Sequence, residues 1–297
     1  MKFSALLIFL MSFQVFSQNW IDIASISLKS SPYNKLDNSK DQINFSSTSI
    51  NLKIPVVIKN DNAIILGIEH QANSISSNQD RFTPLYFQSS MLQMGYLQNW
   101  NKKHKSLFMT MTRLNSGYQN VNSEQLQIAG LFLSTSKRSQ NFNWKYGMYF
   151  NTEFSGSMFV PLFGFNWKIN DHWRLKTVLP INLELSYQHQ KGLRSGLFFE
   201  GINASYRISN KHGVSNEYID KADNNINLFS EINLGKKIWL HGKIGHSILR
   251  KYKVYSNNEK IKSKIGPINI GDNRPETLPL FNNGLSFEIR MLYRIPT

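Results

Sequence analysis

Cysteine is missing from all 297 residues. That excludes a disulfide framework, a thiolate metal site, a cysteine nucleophile and the N-terminal lipid anchor of a lipoprotein. Long apolar runs are missing as well. Past the first sixteen residues nothing approaches the ~18 consecutive apolar side chains of a membrane-crossing helix, which leaves an exported chain two homes: outside the bilayer, or inside it as strands. Acidic side chains are scarce, 19 against 34 Lys and Arg, for a net charge of +15. Such an excess raises the question of nucleic acid, but the basic residues are scattered through the chain instead of gathering on one helix or arm. Nucleic acid is therefore not an expected partner, whereas phosphorylated lipid head groups and anionic solutes are.

What is present is aromatic and half-polar. Aromatics make up 13% of the chain, Asn, Ser and Gln are plentiful, and only 9 prolines interrupt it, which suits half-wet strands joined by polar loops. Met1 and Lys2 form a basic n-region before an apolar stretch over 3–16, broken by Ser4, Ser12 and Gln14 and too short for the ~20 residues of a spanning helix. Val15 and Ser17 fit the small-residue pockets of a signal peptidase. Residues 1–17 are thus expected to be a signal peptide cut before Gln18, and 18–297 a single β domain of net charge +14 once Lys2 is gone.

The clearest periodicity closes the chain. Leu285, Phe287, Ile289, Met291, Tyr293 and Ile295 fall on one face; Ser286, Glu288, Arg290 and Arg294 fall on the other, with Leu292 the single exception. Successive side chains of a strand point to opposite sides, so this is a strand with one oily and one charged face. Similar alternation marks Ile50, Leu52, Ile54 and Val56; Ile64, Leu66 and Ile68; Phe142, Trp144, Tyr146 and Met148; and Leu183, Leu185 and Tyr187 around Glu184 and Ser186. Short turns at 60–62, 101–105, 138–141, 170–172, 209–213 and 236–237 alternate with longer runs at 72–84, 115–124, 151–157, 188–194, 220–225 and 252–284. An up-and-down antiparallel transmembrane β-barrel has that rhythm, with short turns at one rim and longer loops at the other. The segments predict about 12 to 14 strands: fourteen if the first segment, near Ile21 and Ile23, and the weak one at 214–219 are both real. Pro180 either kinks one long strand over 173–187 or divides two. Trp100, Trp144, Trp167, Trp173, Tyr206, Trp239 and Tyr293 lie near strand ends, where interfacial girdles form.

With its Val15-Phe16-Ser17/Gln18 junction, its run of strands and its terminal 287–295 segment, the chain resembles the uncharacterised, domain-of-unknown-function type of single-chain outer-membrane β-barrel proteins of Gram-negative bacteria. The resemblance implies residence in the cell outer membrane, contact with its lipid and lipopolysaccharide, and recognition of the last strand by the barrel-assembly machinery. The chain departs from the common terminal aromatic in that Pro296 and Thr297 follow Ile295.

No residue constellation points to chemistry. His70, His104, His172, His189, His212, His241 and His246 are dispersed, and no G-x-S-x-G elbow, His-x-x-x-His pair or phosphate-binding glycine loop is present. His241 and His246 are an odd number of residues apart and should face opposite ways. No catalytic, metal or cofactor-binding residue is assigned. Glu153, Glu184, Glu200, Glu231 and Glu288 are expected to face a lumen, balanced by Lys145, Lys176, Lys243, Arg290 and Arg294. The expected protein is a non-enzymatic barrel with a polar lumen, acting as a passive channel or a structural surface protein. Two alternatives are a lipid-modifying hydrolase of the phospholipase or lipid A deacylase kind, with His189 (near Ser186) or His246 (beside Ser247) as base, and a soluble secreted β-sandwich that binds carbohydrate or a protein.

Overall fold

The computed structural model describes residues 20–35, 42–77, 84–117, 125–210, 213–266, 268–275, 278–279 and 283–296. The expected signal peptide and its cleavage site lie outside them. The chain forms a closed antiparallel barrel of 14 strands, not a sandwich. The wall runs through β1 (Trp20–Lys35), β2 (Gln42–Val57), β3 (Ala63–Ser77), β4 (Leu85–Asn99), β5 (His104–Ser116), β6 (Leu126–Lys137), β7 (Phe142–Glu153), β8 (Gly156–Lys168), β9 (Trp173–Leu179), β10 (Asn182–Gln190), β11 (Leu193–Asn210), β12 (Gly213–Gly235) and β13 (Ile238–Ser256). Within the long connection that follows are three short pieces: β14 (Ser263–Ile265), β15 (Ile268–Ile270) and β16 (Leu278–Pro279). The terminal strand β17 (Leu285–Pro296) then pairs with β13 on one side and β1 on the other, from Trp20 opposite Pro296 to Ser30 opposite Phe287.

Side-chain alternation decides which way each face turns. On β17, Leu285, Phe287, Ile289, Met291 and Tyr293 are exposed, while Ser286, Glu288, Leu292 and Arg294 are buried. Leu292, the exception to the alternating pattern, is apolar on the lumen side. Ile50, Ile54, Leu66, Ile68, Leu92 and Met94 continue the exposed apolar surface around the wall. A contiguous apolar exterior of this extent on a closed cylinder, with polar groups inside, is the signature of a barrel solvated by hydrocarbon. One bulge adjusts the pattern. Between the pairs Asn225–Ser247 and Asn224–Leu249 the register slips, so Ile248 and Leu249 both face out while Ser247 and Arg250 both face in.

Both described chain ends and the turns at 58–62, 100–103, 138–141, 169–172, 191–192 and 236–237 share one rim, here the terminus end. Trp100, Trp144, Trp167, Trp173 and Tyr293 are exposed near it, as a girdle requires. Tyr206 and Trp239 do not join them: both are buried inside the barrel, Trp239 edge-on to Trp20 at 5.7 Å. Their strand-end positions were right, but alternation puts them on the lumen face.

Fourteen strands arise differently from the expected division. Segment 214–219 is no strand of its own; it is the outer part of β12, and 220–225 is strand, not loop. The missing strand is recovered at Pro180, which divides 173–187 into the hairpin β9–β10, with Val178 opposite Asn182. This split reverses the ends assigned to the later connections: the turn at 191–192 lies at the terminus end, and β11 ends and β12 begins at the opposite, loop end. The run at 188–194 is mostly strand, and of 151–157 only 154–155 is turn.

At the loop end the wall changes character. β9 has seven residues, roughly 23 Å of extended chain, whereas β12 has 23. β8 loses its β9 partner beyond the Phe163–Leu179 pair, and β14 takes over its free edge, pairing in parallel with Met158 and Phe159. The β14–β15 hairpin shows Ile265, Ile268 and Ile270 on its exposed surface, extending the apolar exterior above the low part of the wall.

This assignment of faces predicts position-dependent tolerance to charge. Met291→Arg, on the apolar exterior, should destabilise the refolded barrel in lipid by about 2–4 kcal/mol, whereas Ser46→Arg, on the polar exterior near the loop end, should cost at most about 1 kcal/mol. Urea titration in liposomes distinguishes them, and equal effects would disprove the assignment.

Candidate functional site: the lumen and its inward hairpin

Register arranges charge inside the barrel. Neighbouring strands place Arg194 opposite Glu231, Glu231 opposite His241, and His241 opposite Arg290. A second row sets Lys243 opposite Glu288 and Glu288 opposite Lys29. Cross-strand neighbours of opposite sign attract, and like charges there repel. Each row alternates in sign for as far as its carboxylates reach.

Glu231 is the hub of the first cluster. Its Oε1 accepts from Arg194 Nε at 2.8 Å and from Arg294, and its Oε2 lies 3.1 Å from His241 Nδ1. Arg194 also reaches Glu184 at 2.7 Å, and Arg294 binds Asp22, tying β17 to β1. In the second cluster Lys243 Nζ lies 3.2 Å from Glu288 and 3.3 Å from Glu200. Lys29 bridges Glu200 at 3.4 Å and Asp223 at 3.7 Å, and Arg250 Nε donates to Asp223 at 3.0 Å. The side chain of Glu231 is 1% exposed and that of Asp223 not at all. Desolvation of that degree is tolerable only because each carboxylate has several charged donors.

All five glutamates expected in the lumen face it, but Glu153 differs from the rest. It has no ion pair among the described residues; it accepts from the Ser205 backbone N–H at 2.7 Å, the Ser205 hydroxyl and the Asn151 amide. Ser205 belongs to β11, far from β7 in the wall order. The outer parts of β11 and β12 have folded into the lumen. Asn115 of β5 donates to the Ser205 carbonyl at 3.0 Å and Gln127 of β6 at 3.3 Å, while Phe154 N–H donates to its hydroxyl at 2.8 Å. The other face of the hairpin carries Ala204, Tyr206, Ile208 and Ile219, packed with Ile43, Phe45, Ile75 and Phe87 from β2, β3 and β4 and with Tyr252 and Val254 from β13. The Tyr206 and Phe87 ring centroids are 4.8 Å apart, and Lys221 Nζ sits 4.5 Å from the centre of the Phe45 ring. Charge therefore lines only part of the lumen, and its outer part is an apolar plug. The expectation of a polar lumen is corrected there, because the outer parts of β11 and β12, with β12 still paired to β13, fold in as a two-faced partition.

Arg274 of the long connection clamps the hairpin from outside. It donates to Tyr218 Oη at 2.8 Å, pairs with Asp220 at 3.2 Å and Asp272 at 2.7 Å, and lies 3.8 Å from the centroid of the Tyr255 ring. Its hydrogen bond to Asp272 holds that carboxyl down at about 2.

Among the described residues the histidines lie apart from the serines next to them in sequence. His246 is exposed outside while Ser247 is buried inside, bonded to Gly284. His189 Nε2 is 2.7 Å from Ser195 Oγ, across the hairpin; Ser186, the neighbour in sequence, is buried and donates to the Arg174 carbonyl. The described contacts of the His189 ring are Ser195 and Tyr187, without a carboxylate. His70 lies 2.9 Å from Ser90 Oγ on the outside, His172 contacts the Gln188 carbonyl, and His104 is exposed as the first residue of β5. His212 is outside the described residues. His241 and His246 face opposite ways, as their spacing required. Among the described residues no group of three or more His, Asp or Glu could hold a metal ion.

Closed wall, apolar exterior and charged interior define a β-barrel of the outer-membrane type. The model of the family described as "Domain of unknown function (DUF6268)" matches residues 13–264, and the chain belongs to that family. No curated protein matches the sequence. Among solved structures it is similar to the COG4313 outer membrane channel of Pseudomonas putida F1, with 8% identity over 95% of this chain and 99% of that one and a TM-score of 0.47. It is also similar to the translocator domain of the autotransporter NalP from Neisseria meningitidis, with 10% identity over 94% and 90% and a TM-score of 0.43. A mutant Rhodopseudomonas blastica porin matches at 6% identity over 93% and 99%, with a TM-score of 0.30.

Glu231→Gln should leave Arg194 and Arg294 short of a buried counter-charge and lower stability by about 3–5 kcal/mol; Asp171→Asn, which breaks the exposed Lys168 pair, should leave the denaturant midpoint unchanged. The Asp272–Arg274 clamp should hold at all pH above the ordinary carboxylate value near 4 and weaken as pH falls towards 2, because the folded carboxyl is the more acidic one. Arg274→Ala should abolish that dependence and expose Lys262 to faster trypsin cleavage at neutral pH, as measured by intact mass.

Proposed function

We propose that this protein is an integral barrel of the outer membrane, without a catalytic site, that acts as a structural surface protein and not as a constitutively open channel. One observation carries the reading: the β11–β12 hairpin crosses the lumen and packs against opposite walls, with Ile43, Phe45, Ile75, Phe87 and Ile219 at most 1% exposed. A permeant solute would have to displace a packed core. In this reading the terminus end faces the periplasm and the loop end the exterior, following the usual placement of short turns. The apolar exterior contacts outer-membrane lipid and lipopolysaccharide, and β17, which closes the cylinder, is the strand the barrel-assembly machinery reads. The hydrolase alternative is not favoured, since Ser186 and Ser247 are buried inside whereas His189 and His246 are exposed.

The full-length protein should migrate heat-modifiably, fractionate with the outer membrane and give no steady conductance in planar bilayers. Replacing 203–222 by a two-residue turn should produce stepwise conductance. A wild-type protein that conducts steadily would overturn the sealed reading, and fatty-acid release from phospholipid or lipid A, lost on His189→Ala or His246→Ala, would overturn the non-catalytic one.

A further inference from the structure

Of the five cations expected to balance the lumen glutamates, four meet a carboxylate: Lys176, Lys243, Arg290 and Arg294. Lys145 meets none. Neither it nor Lys105 makes an ion pair or side-chain hydrogen bond among the described residues. Lys105 and Lys145 both stand opposite Thr135, on either side of it, which sets their backbones about 10 Å apart. Lys176 lies on β9, two residues along from Val178, which stands opposite Gly164, the β8 partner of Lys145. The carboxylate facing this group is Glu184, opposite Lys176 at 3.9 Å and already engaged by Arg194 at 2.7 Å.

Two glycines adjoin Lys145 on the lumen face of the wall. Its neighbour on the same face of β7 is Gly147 and its partner on β8 is Gly164. A Cβ on Gly147 would come within 2.0 Å of the Phe132 carbonyl oxygen, and one on Gly164 within 2.0 Å of that of Thr177. Close approach of the strands forces glycine at both places, so neither position sends a side chain towards Lys145. Three long, flexible cations on one face of neighbouring strands repel one another unless an anion sits between them, and lysine ammonium groups suit phosphate as point charges.

We propose that the lumen at the terminus end is a binding site for a compact multivalent oxyanion of the phosphate class, held by Lys105, Lys145 and Lys176. This goes beyond the sealed-barrel reading and does not depend on it. Inorganic pyrophosphate, titrated calorimetrically into the detergent-purified full-length protein at low salt, should bind one to one, with affinity falling as salt rises. Lys145→Met should weaken binding about tenfold or more, while Lys191→Gln, at an exposed turn, should leave it unchanged. Since Lys145→Met relieves repulsion, that variant should be at least as resistant to thermal unfolding as the wild type without pyrophosphate, yet lose the rise in midpoint that pyrophosphate gives the wild type. Absence of pyrophosphate binding by the wild type, or equal affinity of the Lys145→Met and Lys191→Gln variants, would overturn the proposal. A steady wild-type conductance with pyrophosphate binding intact would overturn only the seal.

Discussion

Hydrocarbon offers no partner for a peptide N–H or C=O, so a sheet that crosses it must have no free edge. Here the seam between β1 and β17 meets that requirement. Its ladder runs from Trp20 opposite Pro296 to Ser30 opposite Phe287, interrupted by one irregularity near Asp22 and Ala24. Closure then dictates the rest of the wall. Every strand has an outside that must suit lipid and an inside that need not, and the alternation along β17, β2 and β3 follows from those two environments.

The same requirement lapses where lipid gives way to water, and there the architecture becomes irregular. β9 ends at Leu179, the outer segments of β11 and β12 leave the cylinder, and the edge of β8 is covered by β14 instead of a neighbouring wall strand. Buried backbone groups must still be paired, and three walls supply what the displaced hairpin needs: Asn115, Gln127 and Glu153 all bond to Ser205. A polar contact on one face and an apolar one on the other hold the hairpin as a partition. Arg274 fixes it from outside through Tyr218 and Asp220.

Inside the cylinder, charge compensates charge unevenly. The side formed by β10 to β13, β17 and β1 brings Glu231, Glu288, Glu200 and Asp223 against cations from both flanks. The side formed by β5, β7 and β9 has Lys105, Lys145 and Lys176 with, among the described residues, the shared Glu184 facing them. This imbalance concentrates part of the chain's net positive charge at one place in the lumen, and it is the electrostatic basis for expecting anions there.

Much of this was legible in the residues. Alternation over 285–296 identified both faces of the closing strand, and the inward glutamates could be named because each alternates with apolar neighbours. What could not be read was pairing. Nothing local says that β12 continues through 220–225, whose polar residues look like loop in isolation and are strand because Asp223 meets Arg250 and Lys29 inside. The plug was equally hidden: Tyr206 near a strand end reads as a girdle residue until the hairpin carrying it turns inward. Sequence by itself determined strands, their two faces and the excess of positive charge, since these depend on a period of two and on composition. Only the tertiary structure decided which charges neutralise each other, which lysines meet no carboxylate among the described residues and where the hairpin packs, because those depend on distances between strands far apart in the chain.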